Sequence, residues 1–257
     1  MMKILTNTTK ITMAILLMGV LILPTSCKKE LLDQTPTDLL ASENFWKTDE
    51  DATIALMASY SAARAVFDRD YYFDGQGAEF TRVRGNSGTS GQILRGDAYQ
   101  AGTYLPSGYG ANFDKYFSYL YGSVNRANYV IENITNKMLP TATGTKLASL
   151  ESIVAEARLL RGMTYFRLIT MWGDVPYIGK IVYDNSEVAS LSRMPIGQVK
   201  DSIMADFNYA VTKLPNKAAA LGRASKPAAL AFRGKLNLYW GSWKKNGWPE
   251  LEGFTQN

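Results

Sequence analysis

Tyr99, Tyr104 and Tyr109 recur at a fixed interval in a glycine-rich stretch that also carries Asp74, Arg82 and Asn86. Residue types in that mixture suit sugar recognition. An aromatic face stacks on the apolar face of a sugar ring, while carboxylate, guanidinium and amide groups bond its hydroxyls. Tyr99, Tyr104 and Tyr109 are the candidate stacking residues; Asp74, Arg82 and Asn86 are the candidate polar contacts. Asp74 and Glu79 would also supply the two carboxylates a glycosidase needs, but nothing in their spacing is diagnostic, and two solvated loop acids is the plainer reading.

Much other chemistry is missing. The chain has no histidine and one cysteine. A nucleophile–histidine arrangement is therefore impossible, and the commonest metal ligand is absent. A single cysteine excludes an internal disulfide and a Cys-cluster zinc site. No GK[ST] follows the glycines, and no strand–GxGxxG–helix unit occurs, so neither a Walker loop nor a dinucleotide fold is expected. The expectation is a binding protein rather than an enzyme, without cofactor or metal.

The one cysteine has a position of its own. Lys3 and Lys10 precede the apolar run Ile11–Leu23, and Pro24-Thr25-Ser26-Cys27 follows. That run is shorter than the roughly 20 residues a spanning helix needs, and it reads as an export signal over residues 1–26. Cys27 is then the candidate lipid-anchored first residue of the mature chain, although a Leu is usual where Pro24 stands; an ordinary signal peptide with an incidental cysteine is the alternative. Several acyl chains make an anchor durable. Without Lys3 and Lys10 the formal charge falls from +5 to about +3, too mild for a nucleic-acid partner.

The elements that must position these residues are helical. Residues 27–44 read as a polar, proline-containing tether. Thr48 is an N-cap with Asp51 as its capping-box partner, and Ile54, Met57 and Ala58 carry a helix to about Phe67, with Trp46 across its start. Residues 68–121 show no sustained period; so long an irregular stretch is more often functional than idle, the alternative being a surface insertion without a role. Val124, Ala127, Asn128, Ile131, Ile134 and Met138 share a helical face ended by Pro140, with Asn128 bonding inward. Leu150–Ile169 forms the longest periodic segment, stopped at Gly173. Gly162 in its interior implies a close neighbour, since a mid-helix glycine costs about 1 kcal/mol. Arg158, Arg161 and Arg167 add positive charge there. Ile196, Val199, Ile203, Phe207, Ala210 and Leu214 define the next helix. Ser225 caps the last, whose face is read as Ala228, Ala231, Gly234, Leu238 and Trp240.

Leu159-Leu160-Arg161-Gly162 and Ala231-Phe232-Arg233-Gly234 stand 72 residues apart, each ahead of a Trp-Gly pair. The pattern is a divergent repeat of helical hairpins, predicting an all-α, tetratricopeptide-like solenoid with a long irregular loop insertion. Gly162 and Gly234 are expected to do the same job, letting a paired helix approach.

Three segments carry a family resemblance. Glu156–Pro176 (E-A-R-x-L-R-x-x-x-Y-F-R-L-x-x-x-W-G-D-V-P) closely resembles the hallmark helix of the SusD/RagB-like outer-membrane lipoproteins. S-x-N-R-A-N-Y-V-I-E-N-I from Ser123, and G-R-A-S-K-x-A-A-L-A from Gly222, resemble two further family segments, as does the Phe45-Trp46 opening. The resemblance implies a lipid-anchored, surface-exposed protein of the outer membrane. Such a protein captures a glycan, or less often a peptide, and delivers it to a TonB-dependent SusC-like transporter. The family's glycan binders often use tryptophans, which the Tyr-rich loop lacks, so a peptide stays open. A tetratricopeptide scaffold lipoprotein that binds only protein partners is the alternative. Family members usually run to about twice this length, so residues 45–257 are expected to be an N-terminal helical domain cut short. Leu230, Phe232, Leu236, Leu238, Tyr239 and Trp243 spread round the last helix. Residues 28–257 alone are therefore expected to be helical, to associate through that end, and to bind ligand poorly or not at all.

Overall fold

The computed structural model of the chain describes residues 45–67 and 110–247. Among these it is all-α, with five long helices: α1 (Asp49–Phe67), α2 (Gly110–Asn133), α3 (Gly144–Trp172), α4 (Ile196–Lys213) and α5 (Lys226–Asn246). The only β-type pairing among them is an isolated antiparallel bridge between Val175 and Met194. Each helix packs on its successor in the chain, giving a tetratricopeptide-like solenoid, and α3 additionally reaches α1 and α5.

That central place explains α3's sequence. It runs for 29 residues, about 44 Å at 1.5 Å per residue. Ile153 to Ala157 are buried without a break, and so are Leu159 to Gly162. A helix apolar on most of its circumference must be covered from several sides. Two core clusters divide along it. Leu150, Ile153 and Val154 join Trp46 and Leu56, with Ile131 and Ile134 from the α2 end. Leu159, Tyr165 and Ile169 join Leu120 from α2, Ile203 and Phe207 from α4, and Leu236 from α5.

Local signals set the helix ends. Thr48 and Asp51 form the reciprocal box: Asp51 N donates to Thr48 Oγ1 at 3.1 Å and Thr48 N to Asp51 Oδ2 at 2.8 Å. The backbone bond from Thr48 holds the Asp51 carboxyl below its usual range. Trp46 is buried at that end, against Tyr129. The α-helical ladder of α2 stops earlier than Pro140. It loosens into a π-helical turn, Ile134–Met138, and tightens into a 3₁₀ turn, Leu139–Thr141, that contains the proline. Gly173 ends α3 with a positive φ of 66°, which favours glycine.

Three expectations change. Gly162 does mark a close contact, but with a ring rather than a backbone: a Cβ there would stand 2.7 Å from Phe207 Cε1. Gly234, its counterpart in the repeat, has nothing within 4 Å, so the repeat does not conserve the contact. In α5 the inward set is Ala229, Phe232, Leu236, Tyr239, Trp240 and Trp243, while Ala231, Gly234 and Leu238 face outward. Leu238 is 76% exposed. Ser225 occupies the N-cap position of α5 without a side-chain cap bond.

Candidate functional site: the α3–α4 connection and its anchors

The sequence-derived ligand residues Asp74, Arg82, Asn86, Tyr99, Tyr104 and Tyr109, and the anchor residue Cys27, all lie outside the described residues. What the described residues contain instead is a connection between α3 and α4 whose main chain over residues 176–182 is held largely by side chains of α2 and α3.

The connection leaves α3 at Gly173, and Asp174 at once caps the helix it leads to: Ile196 N donates to Asp174 Oδ1 at 2.7 Å. A carboxylate at that N-terminus also suits the helix dipole. Pro176 O accepts from the Tyr121 hydroxyl at 2.7 Å. The Tyr165 hydroxyl takes the N–H of Ile178 at 2.6 Å and donates to the carbonyl of the same residue at 3.1 Å. Asn128 Nδ2 donates to Ile178 O and Lys180 O. Ile181 N donates to Glu132 Oε2 at 3.0 Å. Asn125 takes both polar groups of Val182, donating to its carbonyl at 2.8 Å and accepting its N–H at 2.9 Å. Asn125, Asn128 and Glu132 fall three and four residues apart, on one face of α2. A chain segment with no ladder of its own must find such partners or leave its peptide groups unpaired.

Two buried ionic groups on α3 tie this assembly together. The Arg161 guanidinium meets the Asp206 carboxylate with two bonds, Nε to Oδ2 at 2.8 Å and Nη2 to Oδ1 at 2.7 Å, and Nη1 donates to Asn128 Oδ1 at 2.8 Å. Arg161 and Asp206 are 7% and 2% exposed. Burial alone would weaken the charge on Arg161, but the bonds and charge of Asp206 outweigh it and raise the guanidinium's pKa. One turn and a half earlier, Glu156 is 1% exposed. It accepts from Tyr60 of α1 at 2.6 Å and from both Nε and Nη2 of Arg223, ahead of α5. The Tyr60 oxygen in turn accepts Ala224 N at 2.7 Å. Burial first, then the adjacent Glu156 carboxylate, pushes the Tyr60 hydroxyl well above its ordinary value. These fully bonded groups fix the order in which the helices stack; charged side chains this deep persist only when paired.

Arg161 was expected merely to add positive charge. Instead it joins α2, α3 and α4. Its neighbours divide: Arg158 lies 4.3 Å over the Tyr209 ring, and Arg167 Nε donates to Tyr116 at 3.2 Å. Asn128 bonds inward as its apolar setting implied. Asn125, Glu132 and Asp206 were missed, though a signal existed. Asp206 sits beside Phe207 inside the apolar run Ile203–Ala210, where an unpaired acid would be costly.

Midway, the connection makes an exposed 3₁₀ turn, Asn185–Glu187, closed by its own box. Ser186 N donates to Asp184 Oδ1, and Tyr183 N and Asp184 N both donate to Glu187 Oε1. Ser186, through its hydroxyl first and then its N–H, holds the Asp184 carboxyl low, and the N–H groups of Asp184 and Tyr183 do the same for Glu187. Among the described residues no group of three or more His, Cys, Asp or Glu side chains is placed to hold a metal ion, and no helix is long and apolar enough to cross a membrane.

A helical-hairpin solenoid with Glu156 and Arg161 buried and bonded on α3 and a Trp-Gly-Asp-Val-Pro exit defines the class. The chain belongs to the SusD-like family, whose model, described as "starch-binding associating with outer membrane", matches residues 80–238. It is 28% identical over 228 residues to SusD-like protein P2 of Formosa agariphila, covering 83% of this chain and 41% of the relative. It is 26% identical over 226 residues to a SusD-like protein of Bacteroides ovatus, covering 86% and 38%. Among solved structures, a laminarin binding SusD-like protein matches at 26% identity with a TM-score of 0.60, over 78% of this chain and 42% of that one. A SusD homolog from Bacteroides thetaiotaomicron matches at 25% identity with a TM-score of 0.63, over 82% and 38%. The chain thus spans about two fifths of the length of the curated relatives it matches.

Proposed function

We propose that this chain is the helical part of a cell-surface lipoprotein that binds a glycan and passes it to a TonB-dependent, SusC-like outer-membrane transporter. Cys27 carries the anchor, the solenoid is the scaffold, and Tyr99, Tyr104 and Tyr109 with Asp74, Arg82 and Asn86 contact the sugar. The reading contains no catalytic step.

The observation that carries it is the family match itself. It runs from residue 80 to 238, and so takes in five of those six ligand candidates, Asp74 alone lying outside. A glycan is preferred to a peptide because the family description names starch and the similar structure is of a laminarin-binding protein. On α2, Asn125, Asn128 and Glu132 are already bonded to residues 178–182 of the chain itself, so these three side chains are not offered to a docked peptide.

A pull-down of residues 28–257 on immobilised amylopectin, laminarin and other polysaccharides separates the two readings. Retention on at least one glycan, weak for residues 28–257 and released by the free sugar, is the expected result. Retention on none, with recovery of protein partners only, would favour the scaffold.

A further inference from the structure

The turn after residues 176–182 is exposed yet tightly ordered. Val182 is bonded at both its N–H and its carbonyl by Asn125. Tyr183 N and Asp184 N share Glu187 Oε1 at 3.1 and 3.0 Å. Ser186 N reaches Asp184 Oδ1 at 2.7 Å. Glu187 N bonds Asp184 O, Val188 N bonds Asn185 O, and Leu191 N bonds Val188 O. Ordering a backbone costs conformational entropy, and a polar surface turn has little buried apolar area to offset it. Binding surfaces are where such prior ordering is useful, because an ordered group loses less freedom when its ligand arrives.

The side chain displayed on this frame is Tyr183, 79% exposed. Asp184, Asn185, Ser186 and Lys180 around it in sequence are polar and exposed. The core of a protein–protein interface is a contiguous, desolvated patch, and the next exposed large apolar residue of this segment is Leu191, eight positions on. One exposed flat ring whose neighbours in sequence are polar suits a ligand with an apolar ring face bordered by hydroxyls, which is a sugar. Exposure so high leaves no enclosing wall, which suits a strand of polysaccharide lying across the surface better than a short oligosaccharide held in a cavity.

We propose that Tyr183 is a surface stacking residue for a polymeric glycan, a contact additional to Tyr99, Tyr104 and Tyr109, with Asn125 as its positioning residue. This deepens the glycan-binding reading and rests on it.

The test is affinity electrophoresis of the full chain in detergent, through gels containing amylopectin or laminarin. Tyr183→Ala is compared with Tyr183→Phe, which keeps the ring and loses the hydroxyl. The wild type is expected to be retarded by one polysaccharide. Tyr183→Ala is expected to weaken that binding by roughly three- to tenfold, as for loss of one aromatic contact, with an unchanged melting temperature. Tyr183→Phe should stay within about twofold of wild type. Asn125→Ala should weaken binding in the same direction while speeding hydrogen exchange at the Val182 amide. A retarded wild type with equally retarded Tyr183→Ala would overturn the Tyr183 contact and leave the glycan reading standing. A wild type retarded by neither polysaccharide would overturn both.

Discussion

Arg161 and Asp206 meet through two parallel hydrogen bonds of 2.8 and 2.7 Å in the middle of the solenoid, 45 residues apart in sequence. A third bond from Arg161 reaches Asn128, which holds the carbonyls of Ile178 and Lys180. One guanidinium therefore couples the packing of α3 on α4 to the shape of the segment that joins them.

Breaking this pair from one side should be severe. Asp206→Ala leaves the buried Arg161 charge without its carboxylate, at a cost of about 3–5 kcal/mol, while Arg161→Ala leaves Asp206 only Arg158, 4.0 Å away. Replacing both, as Arg161→Met with Asp206→Leu, removes the desolvated charges together and should cost less than either single change. Urea unfolding followed by circular dichroism measures this. Additive losses in the double variant would show that the two residues act independently.

The two glycines of the repeat should respond in opposite directions. A Cβ at Gly162 would press into the Phe207 ring at 2.7 Å, so Gly162→Ala is expected to destabilise by about 1–3 kcal/mol through overpacking. Combining it with Phe207→Leu should recover part of that loss. Gly234 lies in the interior of α5 with open space around it, so Gly234→Ala should stabilise by about 0.5–1 kcal/mol. Melting temperatures that move the same way in both variants would refute the distinction.

This contrast shows what the sequence could and could not convey. Periodicity located all five helices, because an apolar face recurs every three or four residues whatever it packs against. The Thr48–Asp51 box, the Gly173 stop and the inward turn of Asn128 were legible for the same reason: each depends on neighbours close in the chain or on the polarity of its own helix face. The phase of α5 was misread because apolar residues lie on several of its sides, and only the packing against the neighbouring helices selects Ala229 and Leu236 as the buried residues, with Phe232 partly buried beside them. The Arg161–Asp206 and Glu156–Arg223 pairs span 45 and 67 residues, a separation that no local pattern encodes. The ligand candidates rest on residue chemistry and family resemblance, and all of them fall outside the described residues.

Alkali should weaken the fold. Burial pushes the Tyr239 hydroxyl up to about 12, and Tyr60, Tyr121 and Tyr165 further in the same direction. Each keeps its proton more tightly when folded than in the unfolded chain, where a tyrosine titrates near 10. The stability they contribute is whole below about pH 10 and is lost as pH climbs through the folded values. The urea midpoint should therefore hold to about pH 9.5 and fall beyond it, with a shallower fall in Tyr239→Phe. A midpoint unchanged to about pH 11.5 would contradict the burial of these hydroxyls.

Lipid anchoring is tested at Cys27. Cys27→Ala should move the protein from the membrane fraction to the soluble fraction, since no other cysteine can be acylated and stable anchoring needs the acyl chains. Persistence of the variant in outer membranes after a high-salt wash would rule the anchor out.

The central claim is that the chain captures glycan through Tyr99, Tyr104 and Tyr109, and calorimetry tests it most directly. Residues 28–257 are titrated with the polysaccharide that retains them best, beside a Tyr104→Ala, Tyr109→Ala double variant. The account predicts weak but measurable binding by the wild type, and at least a several-fold loss in the variant at constant helicity, each lost stacking contact contributing about 0.5–1.5 kcal/mol. Affinity unaltered by removal of both rings would contradict it and move the site away from these tyrosines.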